Sequence, residues 1–321
     1  MTYKKNTYTL NQIERPDMHP TPGALTDASL SALCRCVICG YATSDPAPGD
    51  LGTVRGNTQR FQSVSFHLWR CPKCQTIYSL DKVDLQDIYS DYPLNRRRLD
   101  IFARGTLHHL LQRLLAGGLK ITDRILDFGC GNGIFLQYLK QRGYQNVAGY
   151  DPFVPEFAAL PRASAPYDCV VANDVIEHCD DPRALLQECV ALTKPSGLLY
   201  VGTADSEGVQ NMTDLEQHIM RLHQPFHRVI ITQKSLLALG DELGLERMAE
   251  YRRSYMDTLM PFSNYRFLDE FNKALGHNLD LALDPAAGRV VLRRPSLFFY
   301  AVFGYFFPSA YEPAALWRKR A

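Results

Sequence analysis

The sequence predicts an α/β protein: an open parallel sheet flanked by helices, preceded by a small cysteine-bearing module. Three observations carry this. Arg124 to Gly133 reads Arg-Ile-Leu-Asp-Phe-Gly-Cys-Gly-Asn-Gly, an apolar strand running into a turn with glycine at alternate positions. A second short apolar run, Val147 to Tyr150, ends on Asp151 about twenty residues later, as in an open sheet that binds a nucleoside at its strand ends. Two Cys-X-X-Cys pairs, Cys36/Cys39 and Cys71/Cys74, lie ahead of both.

Composition sets the frame. The chain has 321 residues, enough for two domains or one elaborated domain, and its 46% hydrophobic content is ample for a core. A net charge of +1 gives no global field for nucleic acid, and Arg96-Arg97-Arg98 reads as a solvated helix face. No signal peptide is expected at the polar start. Nine cysteines without a secretory signal point to a reducing compartment, so a cytoplasmic location is the expectation. Leu297 to Phe307 is too short to span a bilayer.

Residues 1–32 are polar, rich in Thr and Pro, and read as an extended or poorly ordered arm. Residues 33–83 hold the cysteine pairs. Each pair forms a tight turn presenting two thiolates, and two such knuckles complete a tetrahedral shell, so a structural Zn²⁺ on Cys36, Cys39, Cys71 and Cys74 is predicted. A redox pair or unpaired thiols are the alternatives, and Cys34 is a spare ligand. The Pro-, Gly- and Asp-rich stretch from Ser44 to Asn57 reads as a loop, and Phe61 to Arg70 as a strand.

Residues 84–122 read as a connector, helical from about Asn95 to Ala116 on the spacing of Ile101, Leu107, Leu110/Leu111 and Leu114, and ended by Gly117-Gly118. Residues 123–254 contain the glycine turn and the strands. Between Asp151 and Tyr167 there is too little chain for a helix plus a full third strand, and two prolines interrupt it. Tyr167 to Asn173 is the next strand, a helix runs from Arg183 to about Leu192, and Leu198 to Thr203 is another strand. A further helix opens at Ser235-Leu236. Residues 255–321 read as an insertion or lid, helical over Asn264 to Leu275, followed by a final edge strand at 315–319. The aromatic run 297–307 is expected to pack on the sheet or a dimer partner, ahead of a substrate-lid role. It lacks the dense basic face of a membrane-surface helix.

The succession Leu-Asp-Phe-Gly-Cys-Gly-Asn-Gly, Tyr-Asp-Pro, Asn-Asp-Val-Ile-Glu-His and Lys-Pro-Ser-Gly-Leu, in that order, resembles the class I S-adenosylmethionine (SAM)-dependent methyltransferases. With the preceding zinc ribbon it is similar to a bacterial natural-product and sugar methyltransferase branch, near the ubiquinone-type O-methyltransferases. The resemblance implies a Rossmann-like core whose parallel sheet has an antiparallel last strand. It implies SAM bound by Asp127, Gly129, Gly131 and Gly133, with the ribose on Asp151, Asn173 beside the cofactor, and Tyr92 (Tyr89 second) over it. Phe153 is a candidate for holding adenine. A histidine eight residues before Ser235-Leu236 matches His227, implying a base or substrate ligand, with His178 second. His218 and His223 are expected on the surface or a substrate loop. A metal-assisted variant would use Asp174, Glu177 and His178 with a distal histidine.

The leading function is methyl transfer to a small molecule: a sugar, polyketide, glycan or phenol. The alternatives are an RNA methyltransferase gripping nucleic acid with the ribbon, and a non-catalytic SAM-fold scaffold. Only Arg55 and Arg60 between Ala42 and Leu68 could hold phosphate, which argues against RNA. A homodimer is consistent with the aromatic run.

Overall fold

A computed structural model describes residues 34–309 and 311–321. The predicted arm, residues 1–32, lies outside the described residues. In chain order come β1 (Cys34–Arg35), β2 (Ala42–Thr43), β3 (Leu51–Arg55), β4 (Ser65–Arg70), β5 (Ile77–Ser79), α1 (Leu85–Tyr89) and α2 (Ile101–Ala116). The core follows as β6 (Ile125–Phe128), α3 (Ile134–Gln141), β7 (Val147–Tyr150), β8 (Tyr167–Asn173), α4 (Pro182–Leu192) and β9 (Thr193–Gly202). Then come α5 (Ile219–Leu222), β10 (Val229–Ile230), α6 (Gln233–Glu242) and β11 (Glu246–Arg253). The C-terminal part contains α7 (Tyr265–Ala274), α8 (Leu279–Ala282), α9 (Arg289–Arg293), α10 (Pro295–Phe303) and β12 (Tyr311–Arg318).

The main sheet has the order β11-β12-β9-β8-β6-β7. Its parallel part, β9-β8-β6-β7, meets the antiparallel pair β12 and β11. The third strand expected to be curtailed is absent among the described residues: two single-turn 3₁₀ segments, Pro155–Phe157 and Arg162–Ser164, occupy the interval. This leaves β7 as the edge. At the other end the expectation needs correction. The last strand, β12, is interior, pairing Ala315 with both Val201 and Glu250, and β11 forms the edge.

Both faces of the sheet are covered. On one side Leu126, Val170, Leu199 and Trp317 pack with Leu186 of α4 and Leu236 of α6. On the other, Ile125, Val171 and Tyr200 pack with Leu110 and Leu114 of α2 and Phe135 and Leu139 of α3. The helices start where capping chemistry allows. Asp181 accepts from the N–H of Ala184 with Pro182 in the first turn of α4, and Thr232 accepts from Ser235 at α6. Helix α6 lies close on β12, since a Cβ at Gly240 would stand 2.6 Å from the Trp317 ring.

The second sheet, β10-β5-β4-β3, joins the two halves of the chain. β3 falls within the stretch read as a loop. Its fourth strand comes from the far part of the sequence, with Val229 opposite Tyr78 and Ile230 opposite Ile77. The first of the two packings expected of the aromatic run, on the sheet, needs correction. Helix α10 packs not on the main sheet but on α7, burying Leu297 and Ala301 against Phe267 and turning its phenylalanines outward.

Candidate active site and metal centre

The two cysteine knuckles are built alike. In each, the first cysteine's carbonyl accepts an N–H from a residue four positions on (Gly40 and Gln75), and that residue has a positive φ (75° and 62°). The first cysteine's own N–H reaches the next carbonyl, Tyr41 or Thr76. The turns bring Cys36, Cys39, Cys71 and Cys74 together with all four Sγ atoms within 4.8 Å of one another. Cys36 and Cys74 are 3.4 Å apart and Cys39 and Cys71 3.6 Å. A tetrahedron of Zn–S bonds of ~2.3 Å has sulfurs ~3.8 Å apart, so the residues fit the ion. Cys34 is buried on β1, outside this set.

At the main sheet, β6 delivers Asp127 into the interior and hands over to the glycine turn. Gly129, Gly131 and Gly133 have φ of 79°, 52° and 74°, the left-handed region that side chains disfavour. Burial, then the neighbouring Asp151, pushes the Asp127 carboxyl up to about 7. Asp151 caps the turn: one oxygen accepts from the N–H of Gly131 at 2.9 Å and the other from Phe153 at 2.9 Å. Asn173 ends β8, donating to Asp174. Asp127, the three glycines, Asp151 and Asn173 thus line the carboxyl edge of neighbouring parallel strands, the crevice where open sheets bind ligands. A cavity of about 340 Å³ opens beside the turn, lined by Arg97, Arg98, Arg104, Asn132, Ile134 and Gln137.

The connector closes over this edge. Asn132 of the glycine turn donates to the carbonyls of Asn95 and Arg97. The Tyr89 ring stacks on Phe153, centroids 4.2 Å apart at 7°, so one face of Phe153 is taken by protein. Tyr92 packs on Phe226 and its hydroxyl meets His223 Nε2 at 3.0 Å.

Behind the tyrosines sit three imidazoles. His178 and His227 have ring centroids 4.8 Å apart, and His223 and His227 5.0 Å. His223, by sequence a surface or substrate-loop residue, is instead buried, because partners distant in sequence, Asn57 and Tyr92, satisfy its two nitrogens. Burial holds His178 at about 4 and His223 at about 3, and pushes His227 well below the ordinary 6.5, with neighbouring imidazoles adding to the last two. All three are neutral near pH 7. His227 Nδ1 lies 2.8 Å from the Arg221 carbonyl, which only accepts, so Nδ1 carries the hydrogen and Nε2 the lone pair. His178 Nδ1 is 2.6 Å from the Tyr89 hydroxyl.

Glu177 accepts from the Thr203 hydroxyl and the Ala204 N–H, tying the segment after β8 to the end of β9. Glu177, His178 and His227 offer ligand atoms within 4.8 Å of one another, a set that excludes Asp174. Two residues unread in the sequence complete the surroundings. Tyr255 reaches Asp174 at 3.5 Å, and Glu312, brought to this edge by the antiparallel run of β12, is pushed up to about 7 by burial and by Asp174. The two histidines of α2 lie apart from the cluster: His108 meets the Tyr138 hydroxyl and His109 the Tyr255 carbonyl.

Residues 98–250 match the family described as a methyltransferase domain. The chain is similar to the ubiquinone biosynthesis O-methyltransferase of Caulobacter vibrioides, 30% identical over 101 residues, 25% of this chain and 40% of that protein. It is 34% identical over 102 residues to the protein of that name from Rhodopseudomonas palustris, covering 25% and 39%. The chain thus spans about two fifths of the length of these curated relatives. Among solved structures it resembles the Burkholderia thailandensis 1,6-didemethyltoxoflavin-N1-methyltransferase, with a TM-score of 0.41 and 15% identity over 80% of this chain and 96% of that one.

Proposed function

Since residues 98–250 form a class I SAM-dependent methyltransferase domain, we propose that the protein methylates a hydroxyl of a small-molecule acceptor, with His227 as the base. When bound, SAM supplies an electrophilic methyl group. The residues present fit it. The glycine turn brings bare backbone to the strand ends, Asp127 would face the amino group, and Asp151 keeps lone pairs for the ribose hydroxyls.

The carrying observation is the histidine cluster. The acceptor oxygen forms a bond to the methyl carbon as the methyl–sulfur bond breaks, its electrons remaining on sulfur. The hydroxyl proton must then leave, and His227 Nε2 carries a lone pair not used in a protein hydrogen bond, whereas His223 is occupied at both nitrogens and His178 shares its Nδ1 between the Tyr89 hydroxyl and the Phe226 carbonyl. Holding the imidazole neutral keeps it competent near pH 7. The names of the curated relatives favour O-methylation, with a phenol-like acceptor as the first choice.

Cys36, Cys39, Cys71 and Cys74 hold a structural Zn²⁺ in this reading, without an open position for chemistry. Nucleic acid is a poor partner. Of the two arginines between Ala42 and Leu68, Arg55 is engaged by Glu216 and Arg60 by Asp87. A second reading has Glu177, His178 and His227 hold a divalent cation that polarises the acceptor hydroxyl, favoured by their mutual approach within 4.8 Å.

The test is turnover of labelled SAM against hydroxylated aromatics and sugar nucleotides, wild type beside His227→Gln. The expected loss in kcat is about 10²–10⁴-fold with S-adenosylhomocysteine affinity unchanged. An unchanged rate would remove the base assignment. Stimulation by Mg²⁺ or Mn²⁺ that Glu177→Gln abolishes would favour the cation reading.

A further inference from the structure

The methyl-transfer reading leaves the outer face of the C-terminal insertion unused. Helix α10 and the turn after it expose Phe298, Phe299, Val302, Phe303, Phe306 and Phe307, and α9 adds Leu292 at 87% exposed. Soluble proteins rarely leave so many large apolar side chains contiguous in water. The patch continues onto the first turn of α2. Phe298 packs on Phe262 (6.4 Å) and Phe262 on Phe102 (6.0 Å), where Phe102 and Ile101 are again exposed.

The charge around it is one-sided. Residues 285–309 contain Arg289, Arg293 and Arg294 and no Asp, Glu or Lys. All three arginines are exposed. Of the carboxylates on the insertion, Glu270 pairs with Arg266, Asp269 with Lys273 and Asp280 with Arg96, while exposed Asp284, like Asp100 ahead of α2, accepts a backbone N–H as a cap, so the arginines outnumber the carboxylates beside the patch. Arg98 and Arg104, also exposed, flank the α2 end of the patch. The basic residues that the aromatic run itself lacks are therefore supplied by the helix before it and by α2.

We propose that this face docks on an anionic lipid bilayer surface, the phenylalanines entering the headgroup–acyl boundary and the arginines meeting lipid phosphates. The combination of exposed aromatics with unopposed arginines suits that occupant. A second copy is disfavoured by the same charge. A two-fold contact through this patch would set the arginine triad against itself without an acidic residue in 285–309 to offset it. Association is lateral, since among the described residues no helix is long and apolar enough to cross a membrane.

The experiment is flotation of the full chain with vesicles of phosphatidylcholine alone and vesicles containing about one third phosphatidylglycerol. Binding to the anionic vesicles alone, weakening with salt, is expected. A basic residue near an anionic surface is worth about five-fold in binding, so Arg289→Gln/Arg293→Gln/Arg294→Gln together should lose about 100-fold. Phe303→Ser/Phe306→Ser should abolish binding while leaving S-adenosylhomocysteine affinity and Tm intact, which separates this proposal from the methyl-transfer reading. Failure of the wild type to float with anionic vesicles at low salt overturns it. So does a concentration-dependent dimer that the double Phe variant dissolves, which would assign the face to a second copy.

Discussion

Replacing Cys39 by serine tests the metal centre and its connection to the active edge. Cys36 and Cys71 are fully buried among Trp69, Tyr78, Leu186 and Ile231, at the junction of the ribbon sheet with the core. Structural zinc contributes roughly 10–16 kcal/mol in isolated fingers, as much as the whole stability of a typical domain. Here the packed aromatics remain after the ion leaves, so an effective loss of about 5 kcal/mol is the reasonable expectation. At an unfolding entropy of about 2.1 cal/mol/K per residue, a chain of 321 residues then melts about 7 °C lower. The strand beside the ribbon carries the effect inward. β10 pairs with β5, and the Arg228 carbonyl accepts from Ser79, one residue beyond His227. Turnover should therefore fall in Cys39→Ser even at temperatures where it stays folded. The assay is colorimetric zinc release on thiol modification, expected at about one ion per chain, beside differential scanning fluorimetry. A wild type that releases no zinc, with Cys39→Ser melting within about 2 °C of it, would refute the reasoning.

Asp151→Ala removes the acceptor of two backbone N–H groups in the glycine turn as well as the candidate ribose ligand. Calorimetric titration should show S-adenosylhomocysteine binding weakened about 100-fold, two charge-assisted hydrogen bonds' worth; retention of full affinity would move the ribose elsewhere. Asp127 keeps its proton in the fold up to about pH 7, against an ordinary 3.8. The stability it contributes is complete below pH 3.8 and lost as pH rises through 7, by about 4 kcal/mol from the difference between the two values. Denaturant melts from pH 4 to 8 should show this decline relative to Asp127→Asn, and parallel curves would contradict it. Gly240→Ala puts a methyl 2.6 Å from the Trp317 ring and should cost about 1–3 kcal/mol, measured as a lower urea midpoint with unchanged slope.

The parts legible in the sequence are those whose chemistry is local. Alternating glycines after an apolar strand announce the turn, an acid at the next strand end announces Asp151, and paired cysteines announce the knuckles. The missing third strand was readable as too little chain between Asp151 and Tyr167. What escaped depends on distant partners. His223 is polar by name and buried in fact, because Asn57 and Tyr92 reach it from elsewhere. β11 alternates charged residues along an exposed edge and offers no apolar run, so the sequence presents β12 as the edge that β11 forms. β10 is two residues long and becomes a strand only because β5 lies beside it.

That last pairing also sets an order of assembly. Tyr78 and Val229 are partners about 150 residues apart in the chain. A ribosome making this protein releases the three ribbon strands long before the fourth exists, leaving β5 with an open row of backbone donors and acceptors. The knuckles close over short range and can hold the nascent module in register meanwhile. Loop-closure entropy makes the β5–β10 contact a late event, so ribbon and core complete each other in one step. The ribbon is on this account not a transplantable bead: severed after residue 83, it would expose the seam by which such sheets aggregate.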